Sequence, residues 1–192
     1  MVLKNPDEYQ KGKTIVYFVR HGESTQVTNL ANSNDFGLSK LGKKQASEVA
    51  SKLKRIKSEI DVLYSSTLKR AVETAEIIGK QIKKKPIQIK ELSEFNRILW
   101  SNRIYHPRFW RHYQKHKASV VALDKILKNH KGKVIVIIAH GNIIKGIVGN
   151  KLKMSRNQIG KFDYHNCHIS LLRFDGTKLD YIHYFNSKEL VR

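Results

Sequence analysis

Two stretches of this chain end alike. Thr14–Val19 (TIVYFV) runs into Arg20-His21-Gly22, and Lys133–Ala139 (KVIVIIA) runs into His140-Gly141-Asn142. Both are mostly apolar and rich in β-branched residues without a polar alternation, the pattern of a strand buried on both faces of a sheet. Such strands constrain everything around them, because each face needs its own covering layer and the rest of the chain must supply it. They also deliver a histidine and a glycine to a strand's carboxyl end. Open α/β sheets bind ligands there, and loop glycines let backbone N–H groups approach an anion.

The remaining sequence provides the cover. Gly37 and Leu38-Ser39, with Ser39 as N-cap, introduce an amphipathic helix over Lys40–Lys57, whose apolar positions are Leu41, Ala46, Val49, Ala50, Leu53 and Ile56. Asp61–Tyr64 reads as a short buried strand, and Ser65-Ser66-Thr67 as caps for a helix to about Lys84. Arg70, one turn into that helix, can reach back to the strand end, where the helix N-terminus already favours an anion. Pro86–Ile89 is a further short strand that delivers Glu91 and Glu94, and a long helix follows over about Pro107–His130. After KVIVIIA comes an apolar helix, Ile143–Val148. Asn166–Phe174 alternates polar and apolar, Asp175-Gly176 signals a hairpin, and Leu179–Phe185 returns as an antiparallel edge strand. The pattern predicts an α/β fold, a three-layer α/β/α sandwich with a mostly parallel sheet and an antiparallel edge strand. With neither a repeat nor a linker in 192 residues, we expect a single domain over 1–192.

The longest apolar run, Val134–Ala139, is far below the roughly 18 residues of a membrane span, and the single Cys167 has no partner for an internal disulfide. These features lead us to expect a cytoplasmic protein with no membrane association. The net charge of +21 predicts attraction to anions: phosphorylated small molecules, phosphoproteins and nucleic acid all qualify. Between Glu94 and Asp124 there is no acidic residue, while Arg97, Arg103, Arg108, Arg111, Lys115 and Lys117 alternate with Trp100, Tyr105, Phe109, Trp110 and Tyr113. We read this segment, about 95–121, as a basic-aromatic cap beside the site. A metal is not expected. His112 and His116 have helical ligand spacing, with His106 nearby, but Tyr113 stands where a zinc protease motif needs its acid. His165, Cys167 and His168 are crowded but point to different faces of a strand, and no Gly-Lys-Ser/Thr completes a phosphate loop.

Three strands thus end in groups suited to a phosphate, with a carboxylate near a fourth. Taken in order, YFVRHGES (Tyr17–Ser24), LSKLGKKQA (Leu38–Ala46), YSSTLKRAVETA (Tyr64–Ala75) and VIIAHGNIIKGIV (Val136–Val148) resemble the conserved blocks of the histidine phosphatase, or phosphoglycerate mutase-like, superfamily. The resemblance implies a nucleophile at His21, a second catalytic histidine at His140, and phosphate contacts from Arg20 and Arg70 with Gly22, Asn29 and Gly141 beside them. The proton donor falls on Glu94 of Leu92-Ser93-Glu94, with Glu91 in reserve. This chain departs from the pattern at Val27, where relatives often have Asn and where Asn29 is the substitute, and at Lys145 in place of Arg. It also lacks the Gly and Trp-Glu-Gly landmarks after the acid.

The chemistry follows from the residues. A phosphomonoester carries nearly two negative charges, for which guanidinium forks and backbone N–H groups are natural partners. Attack needs an unprotonated imidazole, and neighbouring arginines oppose its protonation. We therefore expect a metal-independent, cofactor-free phosphatase that hydrolyses a phosphomonoester through phosphohistidine on His21. The alternatives are a phosphoglycerate mutase-type phosphotransferase and, from another class, a polyanion or nucleic-acid binding protein with a residual phosphatase site.

Overall fold

A computed structural model describes residues 12–25, 35–95, 97–100 and 107–190 of the chain. Val27 and Asn29, and Arg103, Tyr105 and His106 of the expected cap, lie outside the described residues. Six strands form one sheet: β1 (Thr14–Arg20), β2 (Val62–Ser66), β3 (Ile87–Ile89), β4 (Val134–Ala139), β5 (Ile169–Asp175) and β6 (Lys178–Ser187). Their order is β3-β2-β4-β1-β5-β6. β1 to β4 run parallel, while β5 pairs antiparallel with β1 and β6 with β5. The sheet is thus mixed and mostly parallel, with its antiparallel edge made by a hairpin.

The two apolar runs are central neighbours. β1 and β4 pair from Ile15 opposite Val134 to Arg20 opposite Ala139, which brings both His-Gly ends to the same level. Their residues alternate between two cores. Val16, Phe18, Ile135 and Ile137 face one that includes α3 (Phe109–Asn129) and α4 (Gly141–Lys151). Ile15, Tyr17, Val19, Val136 and Ile138 face another that includes α1 (Lys40–Lys54) and α2 (Lys69–Ile82). Phe18, Val19 and Ile135 to Ile138 have no exposed surface, and each buried aliphatic or aromatic side chain contributes about 1.5–3 kcal/mol. This two-sided burial is why neither run shows polar alternation. A short helix, α5 (Arg156–Gly160), follows α4.

Boundaries moved where local chemistry outweighed the pattern. Ser39 caps α1 as expected, its Oγ accepting from the Gly42 N–H at 2.9 Å. However, α1 ends at Lys54, and Leu41 is exposed. Gly42 is the buried residue of that turn, and a Cβ on it would lie 2.0 Å from the Glu23 carbonyl oxygen. Ser65 and Ser66 extend β2 instead of opening a helix, so Arg70 is the second residue of α2, not one turn in. The α2 N-cap, Leu68, makes no side-chain cap. Asp35 from a distant loop takes the Lys69 N–H instead, at 2.5 Å. Cys167 has φ 54°, which breaks the extended run and delays β5 to Ile169. Gly176 at φ 55° and Thr177 form the hairpin turn. Among the described residues no helix is long and apolar enough to cross a membrane.

Candidate active site

The parallel strands place their ends together, and the side chains that follow them converge. His21 sits one residue past β1, yet its N–H still donates to Ala139 O of β4 at 3.0 Å. Asn166 Nδ2 holds the His21 carbonyl at 2.9 Å. The residue is 5% exposed. Its Nδ1 faces the Gly22 carbonyl at 2.7 Å, and a carbonyl can only accept, so the ring proton belongs on Nδ1. The lone pair is therefore on Nε2, where Arg70 Nε–H donates to it at 3.1 Å. Burial, then the charges of Arg70 and Arg20, hold the imidazole far below its ordinary range, at about 3. The arginines do oppose protonation as expected, but desolvation is the larger cause.

His140 follows β4 and is fully buried, its ring centroid 4.9 Å from that of His21. Its Nε2 lies 2.8 Å from Ser66 Oγ, which also accepts from the Leu68 N–H at 3.1 Å. A Ser66 hydroxyl that donates to Nε2 places the His140 proton on Nδ1. Burial, with His21, Arg70 and Arg20 nearby, also pushes this imidazole well below its ordinary range. His140 Nδ1 and Arg20 Nε are both buried and have no hydrogen-bond partner among the described residues. An unsatisfied buried donor costs about 1–3 kcal/mol. Two donors near one nucleophile are what an anion would satisfy. Arg20 is oriented for this by its Nη1, which donates to Tyr164 O.

Glu94 comes to the site after β3 and a single 3₁₀ turn, Lys90–Leu92. Its carboxylate accepts from the Phe95 N–H at 3.1 Å and from the Asn142 N–H at the start of α4. Parts of the residue reach the surface, but the carboxyl is desolvated, and burial raises it to about 7 against the opposing pull of Arg70 and Arg20. Glu91, the reserve candidate, is exposed.

Gly22 has its backbone groups engaged within the protein, whereas Gly141 stands where an anion is favoured. The Gly22 N–H donates to Thr74 Oγ1 at 3.1 Å and its carbonyl takes the His21 proton, so both of its backbone groups are engaged within the protein. Its contribution is steric, since a Cβ would lie 2.5 Å from the Gly42 carbonyl oxygen, and it fixes the His21 tautomer. Gly141 opens α4, where the helix N-terminus favours an anion, and a Cβ there would meet Tyr164 Cβ at 3.6 Å and Arg20 at 3.7 Å, ordinary contact distances.

Sequence reasoning missed Ser66, Thr74, Tyr164 and above all Asn142. The Asn142 Nδ2 donates to Phe95 O at 3.1 Å and its Oδ1 accepts from Trp100 Nε1 at 3.0 Å, which ties the Glu94 loop to α4. Its place directly after His140-Gly141 was the available signal. The aromatic residues of the expected cap divide. Trp100 is 7% exposed, packed at tilted and edge-on angles against Phe95 and His116, and Phe109 is 5% exposed, whereas Trp110 is 66% exposed. The described aromatics are therefore mostly core. His112 and His116 are buried in that core, and among the described residues no group of three or more His, Cys, Asp or Glu could hold a metal ion. The Cys167 thiol is pushed up to about 12 by burial. Beside Arg20 and Glu94 opens a cavity of about 400 Å³, bounded also by Asn142, Lys145, Lys161 and Asp163.

Comparison with known proteins agrees with this geometry. The model of the histidine phosphatase superfamily (branch 1) matches residues 16–187. Phosphoglycerate mutase-like protein 4 of Arabidopsis thaliana is 26% identical over 190 residues, 85% of this chain and 81% of that protein. A metal-independent phosphoserine phosphatase of the same plant is 26% identical over 160 residues, 70% of this chain and 67% of its own. A crystal structure of phosphoserine phosphatase from Entamoeba histolytica, in complex with 3-phosphoglyceric acid, superposes with a TM-score of 0.69 at 25% identity, covering 91% of this chain and 97% of that one.

Proposed function

The chain belongs to the histidine phosphatase superfamily, and from that premise we propose that it hydrolyses a small phosphorylated molecule by way of a phosphohistidine on His21. The observation that carries this reading is the state of His21: a neutral, buried ring whose proton is fixed on Nδ1 and whose Nε2 lone pair accepts from the Arg70 N–H. In the first step Nε2 attacks phosphorus, the phosphorus–oxygen ester bond breaks, and the protonated Glu94 gives its proton to the departing alkoxide. In the second, water gives a proton to the Glu94 carboxylate while its oxygen attacks phosphorus. The phosphorus–nitrogen bond breaks, phosphate leaves, and both residues return to their starting states. Arg20, Arg70 and His140 Nδ1 carry the charge on the remaining phosphoryl oxygens, work that preorganised donors do without a metal.

Small phosphorylated substrates are favoured over phosphoproteins because relatives of similar length act, by their names, on phosphoserine. A cytoplasmic setting goes with such a substrate. The mutase reading shares every step until the phosphoryl group is handed on. Phosphate release, as opposed to isomer formation, from 3-phosphoglycerate separates the two. Rapid quenching during turnover tests the core claim: we expect acid-labile phosphate on His21 and loss of turnover in His21→Ala. Near wild-type kcat in that variant, or label recovered on serine or cysteine, would refute the covalent step.

A further inference from the structure

Arg20 can serve an anion only if its guanidinium is aimed, and the residues that aim it are tied to the far edge of the sheet. The group is planar, so a bond that fixes one nitrogen fixes the direction of the others. Its Nη1 donates to Tyr164 O, and its buried Nε is the atom without a partner among the described residues. The same segment holds the Arg20 backbone. The Cys167 N–H donates to Arg20 O at 3.0 Å and the Arg20 N–H to His168 O at 3.3 Å. Asp163–His168 therefore wraps the carboxyl end of β1, yet it contains no helix or strand that would make it rigid.

One residue of β6 supplies that rigidity. Asn186 Oδ1 accepts from the His165 N–H at 2.9 Å, and its Nδ2 donates to Asp163 O at 3.4 Å. Its own carbonyl accepts from His168 Nδ1 at 2.9 Å, and its N–H donates to Ser170 Oγ at 2.9 Å. Ser170 Oγ in turn lies 2.7 Å from the Tyr164 hydroxyl, which reaches Phe18 O of β1 at 3.3 Å. These bonds are possible because the strand is irregular there. Ile169 pairs with Ser187 but Leu171 with Tyr184, so β6 carries one residue more than β5 across the interval, and Asn186 has φ 55°. A left-handed residue is costly unless it is Gly or, less so, Asn or Asp, and such outliers and bulges gather beside functional sites. A bulge that only blunted a sheet edge would not need a side chain whose two ends both bond the site segment.

We propose that Asn186 is a positioning residue for phosphate binding: through Asp163–His168 it holds the Tyr164 carbonyl at the point from which Arg20 is aimed. The proposal rests on the phosphatase reading only in taking Arg20 as a phosphate contact.

Titration calorimetry with inorganic phosphate on the full chain reads the effect without requiring turnover. Asn186→Gly keeps the left-handed backbone and deletes both side-chain bonds. Phosphate should then bind about tenfold more weakly, as for a charge-assisted hydrogen bond that is no longer well aimed. Asn186→Asp keeps the acceptor for the His165 N–H and tolerates the same φ, so its loss should stay below about threefold. Tyr164→Phe cuts the same link without touching the bulge and should weaken binding in the same direction. In an Arg20→Ala background the Asn186→Gly loss should shrink to less than about twofold, since no guanidinium remains to be aimed. Unchanged affinity in both Asn186→Gly and Tyr164→Phe would overturn the proposal. So would a loss that persists in full without Arg20, which marks a general loosening of the site. If the expected pattern appears while wild type turns over no phosphomonoester, the positioning role stands and the phosphatase reading falls. If wild type hydrolyses p-nitrophenyl phosphate and both variants bind phosphate as it does, the reverse holds.

Discussion

Replacing Glu94 by Gln should make the protein more stable at pH 8 and cripple it as an acid catalyst. In the folded state the carboxyl titrates at about 7 against an ordinary 4.5, and burial is the main cause. Between those values the folded protein keeps a proton that the unfolded chain has released, so this group's contribution to stability falls as pH rises. At about 1.4 kcal/mol for each pH unit of separation, holding Glu94 ionised at pH 8 costs the fold about 3 kcal/mol. Gln never ionises. Its NH₂ replaces one carboxylate oxygen and cannot accept, and its remaining oxygen is a weaker acceptor than a charged carboxylate, a loss of about 1 kcal/mol. Urea unfolding followed by tryptophan fluorescence should therefore show Glu94→Gln about 2 kcal/mol more stable than wild type at pH 8, and equal or slightly less stable at pH 5. The kinetic counterpart is leaving-group dependence. An alkyl phosphate should lose about 10²–10⁴-fold in kcat and a nitrophenyl phosphate far less, since the phenolate departs without a proton. In wild type, kcat/KM for alkyl phosphates should fall above about pH 7 as Glu94 loses its proton, and this limb should be missing in the variant. A stability difference that does not vary with pH, or equal kinetic losses on both substrates, would refute the assignment of a desolvated proton donor.

Arg70→Ala should cost several kcal/mol of transition-state stabilisation on alkyl and aryl phosphates alike, because the guanidinium meets charge that develops whatever the leaving group. A loss confined to alkyl phosphates would instead place Arg70 with the acid. Gly22→Ala should destabilise the fold by about 1–3 kcal/mol, since its Cβ would collide with the Gly42 backbone at 2.5 Å, and unchanged urea unfolding would show that α1 can yield.

What the sequence could show depended on how local the determinant was. The buried runs Thr14–Val19 and Lys133–Ala139 carry their fate in their own composition, and their parallel pairing puts His21 and His140 side by side. Arg70 was legible because a helix follows a strand there, although its register was not, since Ser65 and Ser66 remain in the ladder. Longer-range arrangements were hidden. Asn142 matters through Trp100 and Phe95, residues far away in sequence. The α2 N-terminus is capped by Asp35 from another loop. Trp100 and Phe109 belong to a pattern of aromatic and basic residues that reads as a surface. Only the packing of α3 and α4 shows that their rings are core while Trp110 is exposed.

The overall charge says little about the site, and the reason is one of distance. A chain with net charge +21 should hold its carboxylates ionised, and the exposed Asp175 beside Lys13 does lie below the ordinary range. Glu94 goes the other way although two arginines act on it. The surface lysines are screened within about 10 Å at ordinary ionic strength, so they reach the buried carboxyl weakly. Arg20 and Arg70 are near enough to oppose its protonation, yet desolvation exceeds their combined pull. The same burial that keeps Glu94 protonated keeps His21 unprotonated, because in both cases the charged form loses water. An enclosed site therefore sets both partners of the proposed first step at once, favouring the neutral form of His21 and of Glu94, and the arginines adjust the two in opposite senses. They reinforce burial at His21, where positive charge also opposes protonation, and moderate it at Glu94. That moderation leaves the Glu94 carboxyl at about 7, where it can both give a proton to the alkoxide and take one from water.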